Sequence, residues 1–69
     1  MNTMTLEING EKREVAPVAT VAELLRHLGI VESRLAVEIN RKIIRRSEWE
    51  STPVVDRDRV EIVRFVGGG

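Results

Sequence analysis

The chain has 69 residues, 42% of them apolar, and eleven basic side chains balance eleven acidic ones. That length holds one domain, the apolar share is enough for a core and excludes a disordered chain, and the zero net charge argues against a dedicated binder of nucleic acid or membrane surfaces. There is no cysteine, which removes disulfides, thiolate metal sites and cysteine nucleophiles together and points to a domain that folds in a reducing, cytoplasmic setting on packing alone.

The beginning, MNTMTLEINGEK, lacks the basic start and apolar run of a signal peptide, and no stretch is apolar for long enough to span a bilayer. Met4 to Ile8 alternates apolar and polar residues, the period of a half-buried strand. Asn9-Gly10 follows, the dipeptide best suited to the two positive φ angles of a type I′ hairpin turn. The return strand, about Glu11 to Val15, is heavily charged, as an exposed sheet edge should be, and Pro17 ends it.

Thr20 and Glu23 stand in the T-x-x-E spacing of a capping box. Val21, Leu24, Leu25 and Leu28 then share one helical face, and Gly29 falls where a left-handed helix terminus belongs. A helix this short with one apolar side must lie on a sheet. Beyond it, Leu35, Val37 and Ile39 alternate again; Asn40-Arg41 predicts a turn into a short strand at Lys42–Arg45. Ser47 to Glu50 reads as a helical turn or loop closed by Pro53, and Asp56-Arg57-Asp58 as another turn.

The last strand, Arg59 to Val66, differs from the rest. Val60 and Ile62 face one way, while Val63 and Phe65 face the other. A strand apolar on both faces belongs in the middle of a sheet. Hairpin, helix, strands and a central last strand predict an α+β architecture of the β-grasp (ubiquitin-like) type, a mixed sheet of four to five strands with one helix packed on one face. Residues 1–66 form that domain, and 67–69 a flexible glycine tail.

Catalytic parts are scarce. His27, the one histidine, has no second histidine or cysteine to complete a zinc site, and suits the C-terminal end of the helix. Ser33, Ser47 and Ser51 have no evident base. Asp56 and Asp58 are interleaved with arginines, which favours turn chemistry over a cation site. Gly10 and Gly29 are isolated, so no phosphate loop exists. The run NRKIIRR, residues 40–46, gathers four basic residues, but with only Trp49 nearby to stack a base it reads as a solvated face or a docking patch; Trp49 itself covers one end of a small core. An autonomous enzyme is not expected, nor a metal or cofactor bound by this chain.

The outer face of the last strand says more. One helix cannot cover both faces of a sheet, so Val63 and Phe65 emerge on the bare side unless a loop packs over them. Exposed apolar patches mark interaction surfaces, and this one lies just before Gly67, Gly68 and Gly69. Three extended residues reach about 10 Å, thin enough for a narrow tunnel. The group offered at the end is the α-carboxylate of Gly69, an anion that resists nucleophiles until an outside enzyme activates it, for instance by adenylation with ATP.

The segment LAVEINRKIIRRSEWESTPVVDRDRVEIVRFVGGG resembles the ThiS family of sulfur carriers in thiamin biosynthesis. The matching parts are Ala36-Val37-Glu38-Ile39-Asn40, then Arg46 and Trp49, the Asp56-x-Asp58 turn, the strand Val60-Glu61-Ile62-Val63 and the closing glycines; the NG hairpin and the helix start Thr20-Val21-Ala22-Glu23-Leu24-Leu25 fit as well. The resemblance implies a β-grasp fold whose terminal glycine is adenylated by a ubiquitin-activating-like adenylyltransferase (ThiF-like) using ATP. That glycine is converted to a thiocarboxylate with a sulfur donor such as a cysteine desulfurase, and delivers sulfur to thiazole synthase (ThiG-like). Carried onto this chain, Gly69 is the modified residue and Gly68 its slim neighbour, with Gly67 lengthening the tail that enters the partner. Phe65 and Val66 guide that tail, and Val63 joins them in docking. Two departures concern local shape: Arg57 fills the middle of a usual Asp-Gly-Asp turn, predicting a turn without positive φ there, and Arg45 stands where proline is common. A sulfur carrier for molybdopterin or another sulfur metabolite, a ubiquitin-like modifier and a non-catalytic β-grasp interaction module remain as alternatives.

Overall fold

A computed structural model of the protein describes residues 2–31 and 34–65. In chain order the elements are β1 (Met4–Ile8), β2 (Glu11–Val15), α1 (Val21–His27), β3 (Leu35–Ile39), β4 (Lys42–Ile44), a 3-10 turn (Arg46–Glu48) and β5 (Arg59–Arg64). The five strands form one sheet in the order β2-β1-β5-β3-β4. β1 and β5 run parallel, and every other pair is antiparallel. The last strand is central and the charged return strand is an edge, as the sequence predicts.

The alternation in each strand sorts residues between the two faces. Leu6, Ile8, Leu35, Val37, Ile39, Val60 and Ile62 are buried on the helix side with Val21, Ala22, Leu24 and Leu25 of α1. Trp49 and Val54 close one end of this core, and the indole N–H of Trp49 donates to the Ile44 carbonyl at 3.2 Å, the polar partner a buried tryptophan needs.

The helix is held at both ends by bonds its sequence announces. At the N-terminus, the amides of Val21 and Ala22 donate to the carbonyls of Thr52 and Trp49, and the Glu23 amide donates to Thr20 Oγ1, so three of the orphan donors of a helix start are satisfied. The capping box differs in one respect: the Glu23 carboxylate accepts from Ala19 N–H at 2.8 Å, one residue further back than the expected N-cap amide. At the other end Gly29 has φ +76°; its amide donates to Arg26 O and that of Ile30 to Leu25 O, the two bonds of a Schellman motif.

Both hairpin turns are left-handed at both central positions: Asn9 and Gly10 have φ of 51° and 84°, Asn40 and Arg41 of 51° and 72°. The 55–58 turn corrects the expectation for Arg57. Its φ is +76°, so this arginine adopts a left-handed backbone conformation that glycine takes most readily. The turn is fixed from outside, by Thr5 N–H donating to Asp56 Oδ1 and Arg57 N–H donating to Thr5 O, and these bonds hold an arginine where glycine would rest without strain.

Three boundaries also move. β4 stops at Ile44 rather than Arg45, because Arg45 caps the following turn: its N–H donates to Glu48 Oε1 at 2.9 Å, a bond that a proline at this position could not make. The helical turn spans Arg46–Glu48 rather than Ser47–Glu50. β5 ends at Arg64 rather than Val66, although the Phe65 amide still donates to Arg34 O at 3.0 Å. Val66, Gly67, Gly68 and Gly69 lie outside the described residues, as does the 67–69 boundary of the tail.

Candidate functional site

The helix side of the sheet is closed; the opposite side carries no covering element among the described residues. On β5, Arg59, Glu61 and Val63 alternate with the buried Val60 and Ile62 and so point to the bare side, and Phe65 continues their parity. Val63 and Phe65 are 54% and 58% exposed, which decides against a covering loop among the described residues. Next to them the register sets Ala36 of β3 opposite Val63. Glu38 of β3 lies between Glu61 of β5 and Ile43 of β4, and Ile43 is 69% exposed. The apolar patch is thus wider than the last strand. Ile43 is inconspicuous in the sequence because it lies in a basic run; the one-residue alternation of β4, with Ile44 buried, is the signal that marks it.

Charge divides this face along the strands. Towards the start of β5, Arg59 pairs with Glu7 of β1 at 3.2 Å, an exposed ion pair of the kind worth at most about 1 kcal/mol. Midway, Glu38 and Glu61 stand directly opposite one another, an arrangement that disfavours the sheet by itself. Towards the C-terminal end come Val63, Ala36 and Phe65. Of the residues expected to dock a partner, Val63 and Phe65 are therefore brought together on one accessible surface, while Val66, together with Gly67, Gly68 and Gly69, the residue expected to be modified, falls outside the described residues.

β5 is clasped by the two asparagines that open the type I′ turns. Asn9 N–H donates to Val60 O at 2.9 Å, and its carboxamide bonds both polar atoms of the Ile62 backbone. On the other side Asn40 N–H donates to Arg59 O, Asn40 Oδ1 accepts from Arg59 N–H, and Asn40 Nδ2 donates to Asp58 Oδ1 at 2.9 Å. Asp58 is buried, and its second oxygen accepts from Val55 N–H. The sequence marks these asparagines and this aspartate as turn residues only; their second role, gripping the central strand, depends on which strand lies beside each turn.

The other candidates do not converge. His27 is exposed at the end of α1. The four basic residues of NRKIIRR separate: Arg41 lines a depression with Glu7, Asn40, Arg57 and Arg59, whereas Arg46 borders a groove on the helix side with Ala22, Leu25 and Trp49. No group of three or more His, Cys, Asp or Glu is placed to hold a metal ion among the described residues, and no described helix is long and apolar enough to cross a membrane.

A five-stranded mixed sheet with a single helix across one face, its C-terminal strand central and bordered by an open apolar surface, defines a ubiquitin-like β-grasp domain. The family model that matches is the ThiS family, over residues 6–69, and the chain belongs to that family. It is 34% identical over 65 residues to the sulfur carrier protein ThiS of Bacillus subtilis, covering 93% of this chain and 98% of that one. A thiamine biosynthesis protein (ThiS) from Geobacter metallireducens has the same fold with a TM-score of 0.82 at 35% identity, covering 96% of this chain and all (100%) of the other. A thiazole synthase of Paramagnetospirillum magneticum is 44% identical over 66 residues; the match takes in 96% of this chain but spans only 20% of that protein's length.

Proposed function

We propose that this chain carries sulfur as a thiocarboxylate on Gly69 and donates it for assembly of the thiazole of thiamin. The observation that carries this reading is the bare apolar surface around Val63 and Phe65, in sequence immediately before Gly67-Gly68-Gly69, in a chain of the ThiS family. A body is held by its open sheet face while a tail without side chains enters the partner's site.

The chemistry follows from the carboxylate. An oxygen of the Gly69 carboxylate attacks the α-phosphate of ATP in an adenylyltransferase partner, and pyrophosphate leaves. Hydrosulfide, released when a thiol reductant cleaves the persulfide of a sulfur donor such as a cysteine desulfurase and is itself oxidised to a disulfide, then adds to the acyl carbon. AMP departs with its oxygen and a proton is released, leaving the thiocarboxylate. ATP is the partner's substrate, and the residues of this chain supply docking and reach rather than proton transfer. The acceptor we assign is a thiazole synthase, because proteins of that name carry a segment that matches this chain nearly end to end.

The test is an intact mass after incubation with ATP, a sulfide source and the adenylating enzyme. The expected result is a gain equal to one oxygen replaced by sulfur, absent when Gly69 is deleted. An unchanged mass with a demonstrably active enzyme would sink the proposal.

A further inference from the structure

β1 ends at Ile8, opposite Val60 of β5, and the chain then turns away through Asn9-Gly10. The edge of β5 that faces β1 continues past that point. Its next backbone pair, the N–H and carbonyl of Ile62, has no β1 residue beside it. The side chain of Asn9 takes that place: Oδ1 accepts from Ile62 N–H at 2.7 Å and Nδ2 donates to Ile62 O at 3.2 Å. A carboxamide offers the same donor and acceptor as a peptide group, so one side chain adds a rung to the parallel ladder after the strand itself has stopped. Aspartate would lack the donor, and glutamine would place the amide one carbon too far. Asparagine also tolerates the left-handed φ of 51° that the turn imposes here.

We infer that Asn9 is a positioning residue for loading of the tail: by holding the Ile62 backbone in line, it fixes the direction in which β5 delivers Val63, Arg64 and Phe65 towards the C-terminal glycines. The inference rests on the carrier reading above. It assigns Asn9 no contact with ATP or sulfide; its effect passes through the strand. Asn40 supplies a built-in comparison, since it grips β5 at Arg59, at the opposite end of the strand from the tail. Loss of the grip acts on the segment after Ile62, which holds the docking side chains Val63 and Phe65 and leads into the tail, so it lowers the efficiency of loading, kcat/KM, as a whole.

The experiment compares Asn9→Gly and Asn40→Gly with the wild-type chain. Glycine keeps either left-handed turn and deletes only the carboxamide. For Asn9→Gly the Ile62 amide is expected to exchange hydrogen about tenfold faster relative to amides of α1, the effect of losing one hydrogen bond. The kcat/KM of ATP-dependent loading by the adenylating enzyme is expected to fall about tenfold or more. Asn40→Gly should leave the Ile62 amide and loading efficiency at wild-type values. Unchanged exchange at Ile62 in Asn9→Gly would overturn the inference, as would faster exchange with normal loading efficiency, or an equal loss of loading efficiency in both variants. Should the wild-type chain itself fail to load, the carrier reading falls, and the role of Asn9 in loading with it. The exchange data would still report whether Asn9 holds the strand.

Discussion

The covered and bare faces of the sheet are built by the same strands, one residue out of phase, yet they follow different rules. On the helix side, apolar residues of all five strands meet the apolar stripe of α1, and Leu6, Val21, Leu24 and Val60 are completely buried. On the bare side there is no such agreement: apolar side chains lie open beside a polar end, and two glutamates confront each other at Glu38 and Glu61. One face is organised to keep the chain folded. The other holds open apolar side chains and facing carboxylates that folding alone does not call for.

The widest separation between the faces should appear on truncating one large residue of the covered side. Leu6→Ala is expected to cost about 2–5 kcal/mol, a large part of what a domain of this size possesses, and urea unfolding would show it as a fall in midpoint at constant m. On the bare side Phe65→Glu should leave the unfolding midpoint within about 0.5 kcal/mol of wild type while weakening binding to the adenylating partner tenfold or more, about 1.4 kcal/mol, measured by calorimetry. A large loss of stability from that variant would place Phe65 with the core and break the comparison. At the polar end, Arg57→Gly is expected to stabilise the protein by roughly 1 kcal/mol, since glycine accepts φ of +76° without the strain of a Cβ; thermal unfolding would register the gain. The smallest effect is expected from Glu61→Gln, which relieves the facing carboxylates and should add a few tenths of a kcal/mol, resolvable by chemical denaturation and diminishing as salt is added.

Much of the covered face is legible in the sequence alone. Alternation in Met4–Ile8 and Leu35–Ile39 and the helical spacing of Val21, Leu24 and Leu25 each match one periodicity without competition, and the NG turn and Thr20 cap are governed by bonds within a few residues. Legibility fails where a residue answers to something distant in sequence. Arginine disfavours positive φ, but bonds from Asp56 and Arg57 to Thr5 impose it at Arg57. Asn9 and Asn40 read as turn formers, and their grip on β5 depends on which strand is their neighbour. Of the candidate site, Val63 and Phe65 follow from counting parity along β5. Ile43 does not, since its place beside Glu38 depends on the register of β3 with β4.

The strand order also has a temporal consequence. The hairpins β1–β2 and β3–β4 make no ladder with each other; β5, last in chain order, lies between them and joins both. Neither half can share one sheet until that strand has inserted, so closure depends on contacts between residues some fifty positions apart, such as Asn9 with Ile62, which loop entropy makes late to form. The segment that closes the sheet is also the one that leads to the glycines. A chain whose Phe65 is set beside Val63 and Ala36 has already completed its fold, so this surface exists only on finished molecules and not on nascent or damaged ones.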